Sequence, residues 1–385
     1  MPKINGLIGY RPSETKVQDI TAPPYDVIKP NSPLEKFLQA SAHSLFHVTL
    51  GEKPKATLNK WIEDGLFLQD SEPAFYIYHQ TFGSETRLGV FAAVGVEDYA
   101  SGQIIRHEKT FDDKVKGRLA LTKELGLTVE PIFLLTKSKI QNLLQACLRI
   151  HKPLYSFTSQ FDGFSELHGI KNQIYRIPLS SEEGTALQKA LAAQPLYIAD
   201  GHHRYHSALL GRQDYTLAYI VQEARIQAYN RVINGKVRFS QVLSQLKLEP
   251  ISSFTTPPKN SFCIYHRTGA YILKAKNVPT DPVGRLDCSI LEKELYPYLG
   301  VDHSMILNSE FFDYYAESEL ATMKQKVDEG AFDIAVALHP VSLEELMTVA
   351  DAGLKDSSVV MPEKSTFFAP KILSGLFLYQ HKNFS

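Results

Sequence analysis

A short stretch of the chain, residues 197–210, places several reactive side chains where an apolar run stops. The run breaks at residues 200–204, Asp-Gly-His-His-Arg, and apolar residues then return with helical spacing. This pattern predicts a strand, a tight turn and a helix. The free N–H groups and the positive dipole end of a helix N-terminus attract anions. The stretch therefore predicts a site that handles phosphate or a nucleotide.

Each side chain of this segment has chemistry that suits such a site. Arg204 offers a planar fork of N–H donors to a phosphate or a carboxylate. His202 or His203 could donate to an oxygen atom in transfer, and Asp200 could hold a divalent cation. Gly201 lets a ligand approach the backbone closely. The alternative is that Asp200 only caps the helix and that the histidines are ordinary polar residues of its first turn.

A second polar group lies at residues 104–110, Ile-Ile-Arg-His-Glu-Lys-Thr, and precedes a predicted basic helix. Glu108 is the candidate general base, since a carboxylate does this work best when burial raises its pKa toward the working pH. The alternative is that Glu108 and its basic neighbours form a solvated surface of salt bridges. His107 and Glu108 are not part of an HExxH motif, which argues against a zinc protease of that type.

The third candidate is a loop between two prolines, residues 361–371, Met-Pro-Glu-Lys-Ser-Thr-Phe-Phe-Ala-Pro-Lys. Its side chains that could clamp an anionic group are Lys364, Ser365, Thr366 and Lys371. The alternative is that Phe367 and Phe368 pin the C-terminal segment onto the core. The corner at Tyr25-Asp26 is a weaker candidate, because Asp26 could simply cap a turn.

The composition is that of an ordinary globular enzyme, with 44% hydrophobic and 22% charged residues among 385. A formal net charge of −1 provides no overall field for DNA or an anionic membrane, so we expect neither as a partner. No apolar run reaches the roughly 18 residues of a membrane span, and the polar N-terminus lacks a secretory signal. We expect a cytoplasmic protein with a small-molecule substrate, and the sequence is compatible with a homo-oligomer.

Strands and helices are predicted to alternate through the middle of the chain. Alternating aromatic and aliphatic residues at 75–79 and 87–94 flank a glycine turn and predict a β-hairpin. The other predicted elements of this region are strands at 130–135, 196–199 and 216–221 and helices at 113–126 and 137–151.

Proline-rich sequence at residues 250–258 predicts a domain boundary. Beyond it the pattern predicts a hairpin at 262–275, a helix at 288–299, a helix at 315–329, a strand at 332–338 and a helix at 342–353.

We therefore predict a mixed α/β protein of the α+β class in three parts. Residues 1–70 form an N-terminal arm or cap with rigid proline corners. Residues 71–245 form the catalytic core, with an insertion at about 137–195, and residues 246–385 form a separate C-terminal α+β domain.

Several of these segments resemble, in order, the signatures of the domain-of-unknown-function 1015 family. The matching segments are residues 22–28 (Ala-Pro-Pro-Tyr-Asp-Val-Ile), 106–110, 199–205 and 361–371. The resemblance covers nearly the whole chain and implies no established activity. Where many relatives carry a Pro-Thr-His-Arg-like run, this chain has Gln-Ala-Tyr-Asn-Arg at 227–231, with Asn230 in place of the histidine. A catalytic role is therefore not expected at Asn230, and Arg231 remains a candidate anion contact.

The order of elements is also similar to that of the ParB/sulfiredoxin superfamily, which includes free serine kinases. This similarity implies a ParB-like central core, in which Glu108 maps to the base that acts on the substrate hydroxyl. It implies that Asp200, His202 and Arg204 map to a site for nucleotide phosphates and a divalent metal. The insertion departs from the compact pattern of that superfamily.

Our leading hypothesis is a Mg²⁺-dependent phosphotransferase that uses ATP or ADP and acts on a small hydroxylated metabolite such as serine. Its catalytic residues would be Glu108, His202 and His203, with Asp200 as the metal ligand. A nucleotide-binding regulatory protein is the first alternative. A metal-dependent hydrolase built on Asp200, His202, His203 and His107 is the second. The absence of GxxxxGK[ST], GxGxxG and GxSxG motifs disfavours the standard nucleotide-binding folds and serine hydrolases.

Overall fold

The computed structural model describes residues 1–162, 164 and 166–382. The chain divides into two compact units. Unit 1 comprises Met1–Ala224 and the chain from Pro370 onward, and unit 2 comprises Arg225–Ala369. Both units contain helices and mixed or antiparallel sheets, which confirms the predicted α+β class.

The strands of unit 1 before its return segment are β1 (Ile4–Asn5), β2 (Gly9–Pro12), β3 (Phe67–Gln69), β4 (Ala74–Phe82), β5 (Glu85–Gly95), β6 (Ile104–Ile105), β7 (Leu127–Thr128), β8 (Ile132–Thr136), β9 (Tyr155–Thr158), β10 (Lys171–Pro178), β11 (Leu196–Asp200) and β12 (Tyr215–Val221). Its helices are α1 (Val17–Ile20), α2 (Pro33–Ala40), α3 (Phe46–Thr49), α4 (Pro54–Glu63), α5 (Asp112–Leu125), α6 (Gln141–Ile150), α7 (Glu182–Leu191) and α8 (His202–Leu210). Short 3-10 turns lie at Tyr25–Val27 and Tyr99–Ser101.

The strands of unit 2 are β13 (Ile226–Gln227), β14 (Asn230–Ile233), β15 (Glu249–Ile251), β16 (Ser261–His266), β17 (Gly269–Lys274), β18 (Phe312–Tyr315), β19 (Ile334–Leu338) and β20 (Phe367–Phe368). Its helices are α9 (Phe239–Gln245), α10 (Asp287–Glu294), α11 (Tyr296–Leu299), α12 (Leu320–Asp328) and α13 (Leu343–Lys355). Its 3-10 turns lie at His303–Met305 and Glu317–Glu319. The last strand, β21 (Leu378–Gln380), belongs to unit 1.

The main sheet of unit 1 has the strand order β6-β11-β8-β12-β5-β4-β10-β9, with β1 also paired to β5. The predicted hairpin is confirmed, because β4 and β5 pair antiparallel from Tyr76 opposite Phe91 to Phe82 opposite Glu85. The pairs β6–β11 and β8–β12 are parallel, whereas β8 and β11 are antiparallel. The predicted strands at 130–135, 196–199 and 216–221 correspond to β8, β11 and β12, and all are largely buried.

The units differ from the predicted domain boundaries. Residues 1–70 are part of unit 1, because Ile4 pairs with Val94 of β5 and side chains such as Leu7 are buried. The change of unit falls at Ala224–Arg225 instead of 245/246, and the chain from Pro370 returns to unit 1. The proline-rich stretch at 250–258 lies inside unit 2, and its first residues belong to β15, which pairs with β17.

The sheet of unit 2 has the order β15-β17-β16-β19-β14-β18, with β13 paired separately to β20. The hairpin, the strand and the last helix predicted for this region correspond to β16–β17, β19 and α13. The predicted helix at 288–299 is interrupted at Leu295, where Pro297 of α11 cannot donate a backbone hydrogen bond. The helix predicted at 315–329 begins only at Leu320, because Tyr315 belongs to β18.

No helix among the described residues is long and apolar enough to cross a membrane.

We expect the substitution Gly89→Ala in β5 to lower the free energy of unfolding by about 1–3 kcal/mol. A Cβ at Gly89 would lie 2.6 Å from the carbonyl oxygen of Ile220 and 2.6 Å from the Tyr219 ring, so the sheet would have to shift. Gly117→Ala in α5 is the matched control, because among the described residues its added Cβ has no neighbour within 4 Å apart from adjacent residues and the backbone of α5 itself. It should raise stability by about 0.5–1 kcal/mol. Chemical denaturation measures the free energy of unfolding of both variants, and equal changes in the two variants would contradict the prediction.

Candidate functional site

The predicted strand, turn and helix around residues 200–204 are confirmed. The register of β11 against β8 shifts between Ile198 and Asp200, which marks a β-bulge at the end of the strand. A β-bulge changes the direction in which the neighbouring side chains point. Helix α8 begins at His202 with Gly201 as its N-cap, so the positive end of the helix dipole lies at this turn.

Gly201 meets two requirements of the turn. Its φ of 93° lies in the left-handed region, which side chains other than glycine adopt at a cost. A Cβ at Gly201 would also lie 3.0 Å from Nε and 3.1 Å from Cζ of Arg204. Glycine therefore permits both the backbone conformation and the close approach of the guanidinium.

Asp200 is held by two cations. Its Oδ2 lies 3.0 Å from Nη2 of Arg204 and 3.9 Å from Nζ of Lys371. Burial alone would raise the pKa of Asp200, but Lys371 and Arg204 outweigh burial and hold that pKa well below its ordinary value. The helix N-cap is Gly201 and makes no side-chain cap, so Asp200 pairs with Arg204 instead of capping α8. The metal at Asp200 stays a prediction, and the two adjacent cations disfavour it unless further negative charge is present.

Arg204 is enclosed, with 8% of its surface exposed, and it donates a hydrogen bond to the carbonyl of Pro131. Burial alone would lower the pKa of Arg204. Nearby carboxylates raise it above its ordinary value, and they belong to Asp200, Asp26 and Glu130. The corner at Tyr25-Asp26 therefore belongs to the same electrostatic neighbourhood as the turn at Asp200.

Arg118 and Glu130 border the candidate site, although neither residue is predicted from the sequence. Glu130 Oε1 accepts from the backbone N–H of Tyr25 at 3.0 Å, and its Oε2 lies 3.4 Å from Nη1 of Arg118. The Arg118 guanidinium lies 3.9 Å from the centre of the Tyr25 ring. Arg118, Glu130 and Arg204 border a cavity of about 20 Å³, which is room for about one water molecule. The sequence signal that could have found Glu130 is a charged residue at the start of the apolar run that is predicted as the strand 130–135, two residues before β8 begins.

Glu108 lies beside α8, although 94 positions separate it from His202 in sequence. Strand β6 runs parallel to β11, with Ile105 opposite Tyr197, so the residues that follow both strands emerge at the same edge of the sheet. Glu108 Oε2 lies 3.4 Å from Nδ1 of His202, and Glu108 Oε1 lies 3.7 Å from Nε2 of His107. The candidate base and the candidate phosphate turn therefore meet in unit 1.

The two histidines beside Glu108 are neutral near pH 7. Burial lowers the pKa of His107 to about 4, although Asp200 opposes this effect. Burial and the neighbouring His107 ring hold the pKa of His202 well below its ordinary value. One ligand atom from each of His107, Glu108 and His202 lies within 4.8 Å of the other two, so the group could hold a metal ion. Nε2 of His202 has no hydrogen-bond partner among the described residues.

His203, the second histidine of the turn, stacks its ring on that of Phe111. The ring centroids are 5.7 Å apart, and 38% of the surface of Phe111 is exposed. Burial lowers the pKa of His203 to about 4, the nearby Lys114 adds to this effect and Asp26 opposes it. His203 is therefore a neutral imidazole at the edge of the site.

The predicted anion clamp at 361–371 is divided between the units. Lys371 lies in unit 1 beside Asp200. The other three predicted residues belong to unit 2, and they are Lys364, Ser365 and Thr366. Phe367 and Phe368 form the buried strand β20, which pairs with β13.

We expect Gly201→Ala to lower the free energy of unfolding more than Gly102→Ala does. Both glycines have positive φ, 93° and 66°, so both substitutions carry a backbone cost of about 1–2 kcal/mol. Only at Gly201 does the added Cβ also approach the Arg204 side chain, whereas a Cβ at Gly102 has no described atom within 4 Å outside its two chain neighbours. Chemical denaturation of the two variants measures the difference, and equal losses would contradict the contact.

One family model, described as a protein of unknown function (DUF1015), matches residues 4–289. No protein of curated function was found that matches the chain in sequence.

Solved structures similar to the chain include a free serine kinase in complex with AMP, which is 13% identical, with a TM-score of 0.37 over 75% of this chain and 92% of that one. A conserved hypothetical protein from Pyrococcus furiosus is 15% identical, with a TM-score of 0.36 over 75% of this chain and 95% of that one. SbnI with a C-terminal truncation, from Staphylococcus aureus, is 12% identical, with a TM-score of 0.38 over 74% of this chain and 85% of that one. All three likenesses are distant.

Proposed function

The chain belongs to the protein family of unknown function DUF1015, and we propose that it is a phosphotransferase that acts on a small hydroxylated metabolite, of which serine is one. One observation carries the proposal. Glu108 lies 3.4 Å from His202, in the first turn of α8, so a carboxylate stands beside a helix N-terminus suited to phosphate. A base and an anion site in contact are the parts that phosphoryl transfer needs, since it depends mainly on positioning and charge stabilisation.

In the proposed reaction, Glu108 accepts the proton of the substrate hydroxyl. The hydroxyl oxygen forms a bond to the terminal phosphorus of ATP or ADP, and the bond from that phosphorus to the bridging oxygen breaks. ADP or AMP leaves with the electron pair of that bond. The N–H groups at the start of α8 and the ammonium of Lys371 stabilise the charge on the transferring group.

Asp200 is the proposed Mg²⁺ ligand, because carboxylate oxygen is a ligand that Mg²⁺ prefers. Arg204 and Lys371 repel a bare cation at this carboxylate. Mg²⁺ commonly binds through one or two carboxylates together with substrate phosphates, whose charge offsets such repulsion. The ion is therefore proposed to bind with the nucleotide.

We expect Glu108→Gln to lower the rate of phosphate transfer from ATP or ADP by at least about 100-fold, because the amide cannot accept the proton. The assay measures phosphorylated product with Mg²⁺ and a panel of hydroxylated amino acids and sugars that includes serine. Glu124→Gln, at an exposed position of α5, is the matched control and should keep the full rate. No transfer to any acceptor by the wild type would overturn the phosphotransferase.

The same variants separate this function from a nucleotide-binding regulatory protein. A regulator would bind ATP or ADP with nearly unchanged affinity after Glu108→Gln and would turn over no acceptor. The transfer assay and a calorimetric titration of nucleotide into the wild type and the variant together distinguish the two, because a regulator binds nucleotide without turnover, whereas the kinase proposal requires both.

A second candidate function, a metal-dependent hydrolase, is favoured by the group of His107, Glu108 and His202. Its spacings of 3.4 and 3.7 Å resemble those between ligands that each lie about 2.0–2.1 Å from one zinc ion. Neutral imidazoles favour zinc or iron over magnesium. Asp200 is less suited to this set than the hypothesis from the sequence assumed, because it pairs with Arg204.

We expect the hydrolase, if this is the function, to purify with about one zinc or iron ion per chain. His202→Ala should remove the ion, whereas His168→Ala, at a half-exposed side chain of unit 1, should not. Elemental analysis of the purified protein is the measurement. A wild type without transition metal, and with no uptake of added Zn²⁺, would exclude this second candidate.

A further inference from the structure

Phe111 is the most exposed phenylalanine, tyrosine or tryptophan among the described residues, with 38% of its surface exposed. Single exposed apolar side chains are common on protein surfaces, so exposure alone assigns no role to this ring. Its place in the chain is more informative. Phe111 lies three positions after Glu108 and is the N-cap of α5. The exposed ring therefore belongs to the segment that carries the candidate base.

His203 connects Phe111 to the turn at Asp200. The planes of the two rings are inclined by only 16°, which is a stacked arrangement. His203 lies in the first turn of α8, where the N–H groups of the helix have no partner within the helix. The exposed ring is therefore separated from the proposed phosphate site by one stacked side chain.

The two rings form an uncharged aromatic surface that is bordered by charges of both signs. Burial lowers the pKa of His203 to about 4, so its ring is neutral near pH 7. Lys114 adds to this effect and Asp26 opposes it, so an ammonium and a carboxylate are both close. Nζ of Lys114 lies 5.7 Å from the centre of the Phe111 ring. Such a surface suits a flat, uncharged ring with polar groups at its edge, and a nucleobase is such a ring.

Two other occupants fit this surface less well. The acceptor of the proposed reaction is a small hydroxylated metabolite such as serine, which has no aromatic ring to stack. A protein partner ordinarily buries about 800 Å² on each side of an interface, whereas Phe111 offers one partly exposed ring. Of the reactants in the proposed reaction, the nucleotide is the one with a flat π system.

We propose that the base of the nucleotide stacks on the exposed part of Phe111 while its phosphates bind at the start of α8. This inference rests on the proposed function, because it concerns the same ATP or ADP. Stacking on an aromatic side chain tolerates different bases, since every base has a π face. Phe111 therefore favours a nucleotide over a bare phosphate chain and does not select among bases.

Calorimetric titration of ADP with Mg²⁺ into the wild type and into Phe111→Ala tests the stacking. The variant should bind ADP at least about fivefold more weakly, because the base loses its stacking partner. Phe111→Tyr keeps an aromatic ring and should keep the affinity. Leu210→Ala is the matched control, since it removes an exposed apolar side chain at the other end of α8, and it should leave ADP binding unchanged. Pyrophosphate, which lacks a base, should bind to the wild type and Phe111→Ala alike.

Phe111→Trp adds a spectroscopic signature that a merely structural role of this residue would not produce. The wild type is the reference, because its one tryptophan, Trp61, is buried. ADP should quench the fluorescence of the new indole by stacking on it, whereas pyrophosphate should not. ADP binding without quenching would overturn the proposal. Equal losses of ADP and pyrophosphate affinity in Phe111→Ala, or no ADP binding by the wild type, would overturn it as well.

Failure of the stacking and failure of the phosphotransferase are distinguishable. ADP binding that depends on Phe111, with no transfer to any acceptor, would support the stacking and refute the phosphotransferase. Transfer with an unchanged KM for ATP in Phe111→Ala would refute the stacking and support the phosphotransferase. A rise in the KM of the acceptor alone would assign the ring to the acceptor, which also contradicts the inference.

Discussion

The parallel pairing of β6 with β11 is the constraint on which the site in unit 1 depends. These two strands are far apart in sequence, yet their register places Ile105 beside Tyr197. Because parallel strands end at the same edge, Glu108 emerges next to the first turn of α8. An antiparallel arrangement of the same strands would send the two segments to opposite edges. The chemistry available to Glu108 is therefore a consequence of strand direction.

Charge balance in unit 1 is reached within the protein itself. Arg204 and Lys371 neutralise Asp200, and Arg204 is in turn stabilised by acids from other elements. The histidines next to Glu108 avoid the cost of buried charge by remaining neutral. The ionisable residues of this site therefore differ in charge state, since Asp200 and Arg204 are ionised whereas His107 and His202 are neutral. The candidate base Glu108 consequently faces neutral imidazoles and not imidazolium groups.

Arg231 in unit 2 contrasts with Arg204. Both guanidiniums are buried and both donate to a backbone carbonyl, but only Arg204 has a carboxylate at 3.0 Å among the described residues. The Tyr296 hydroxyl and the Tyr314 ring stabilise the Arg231 guanidinium without neutralising its charge. A buried arginine is therefore stabilised by an internal ion pair in unit 1 and by neutral hydrogen-bond partners and an aromatic ring in unit 2.

The sequence by itself determined the elements that short-range patterns encode. The hairpin β4–β5, the strand, turn and helix at 196–210 and the hairpin β16–β17 follow from side-chain periodicity and glycine placement. Tertiary structure alone decided that residues 1–70 join unit 1, that the chain returns there after Pro370, and that Glu130 and Arg118 enter the site. The physical reason is that periodicity depends on neighbours along the chain, whereas strand pairing and charge neutralisation depend on which distant segments burial brings together.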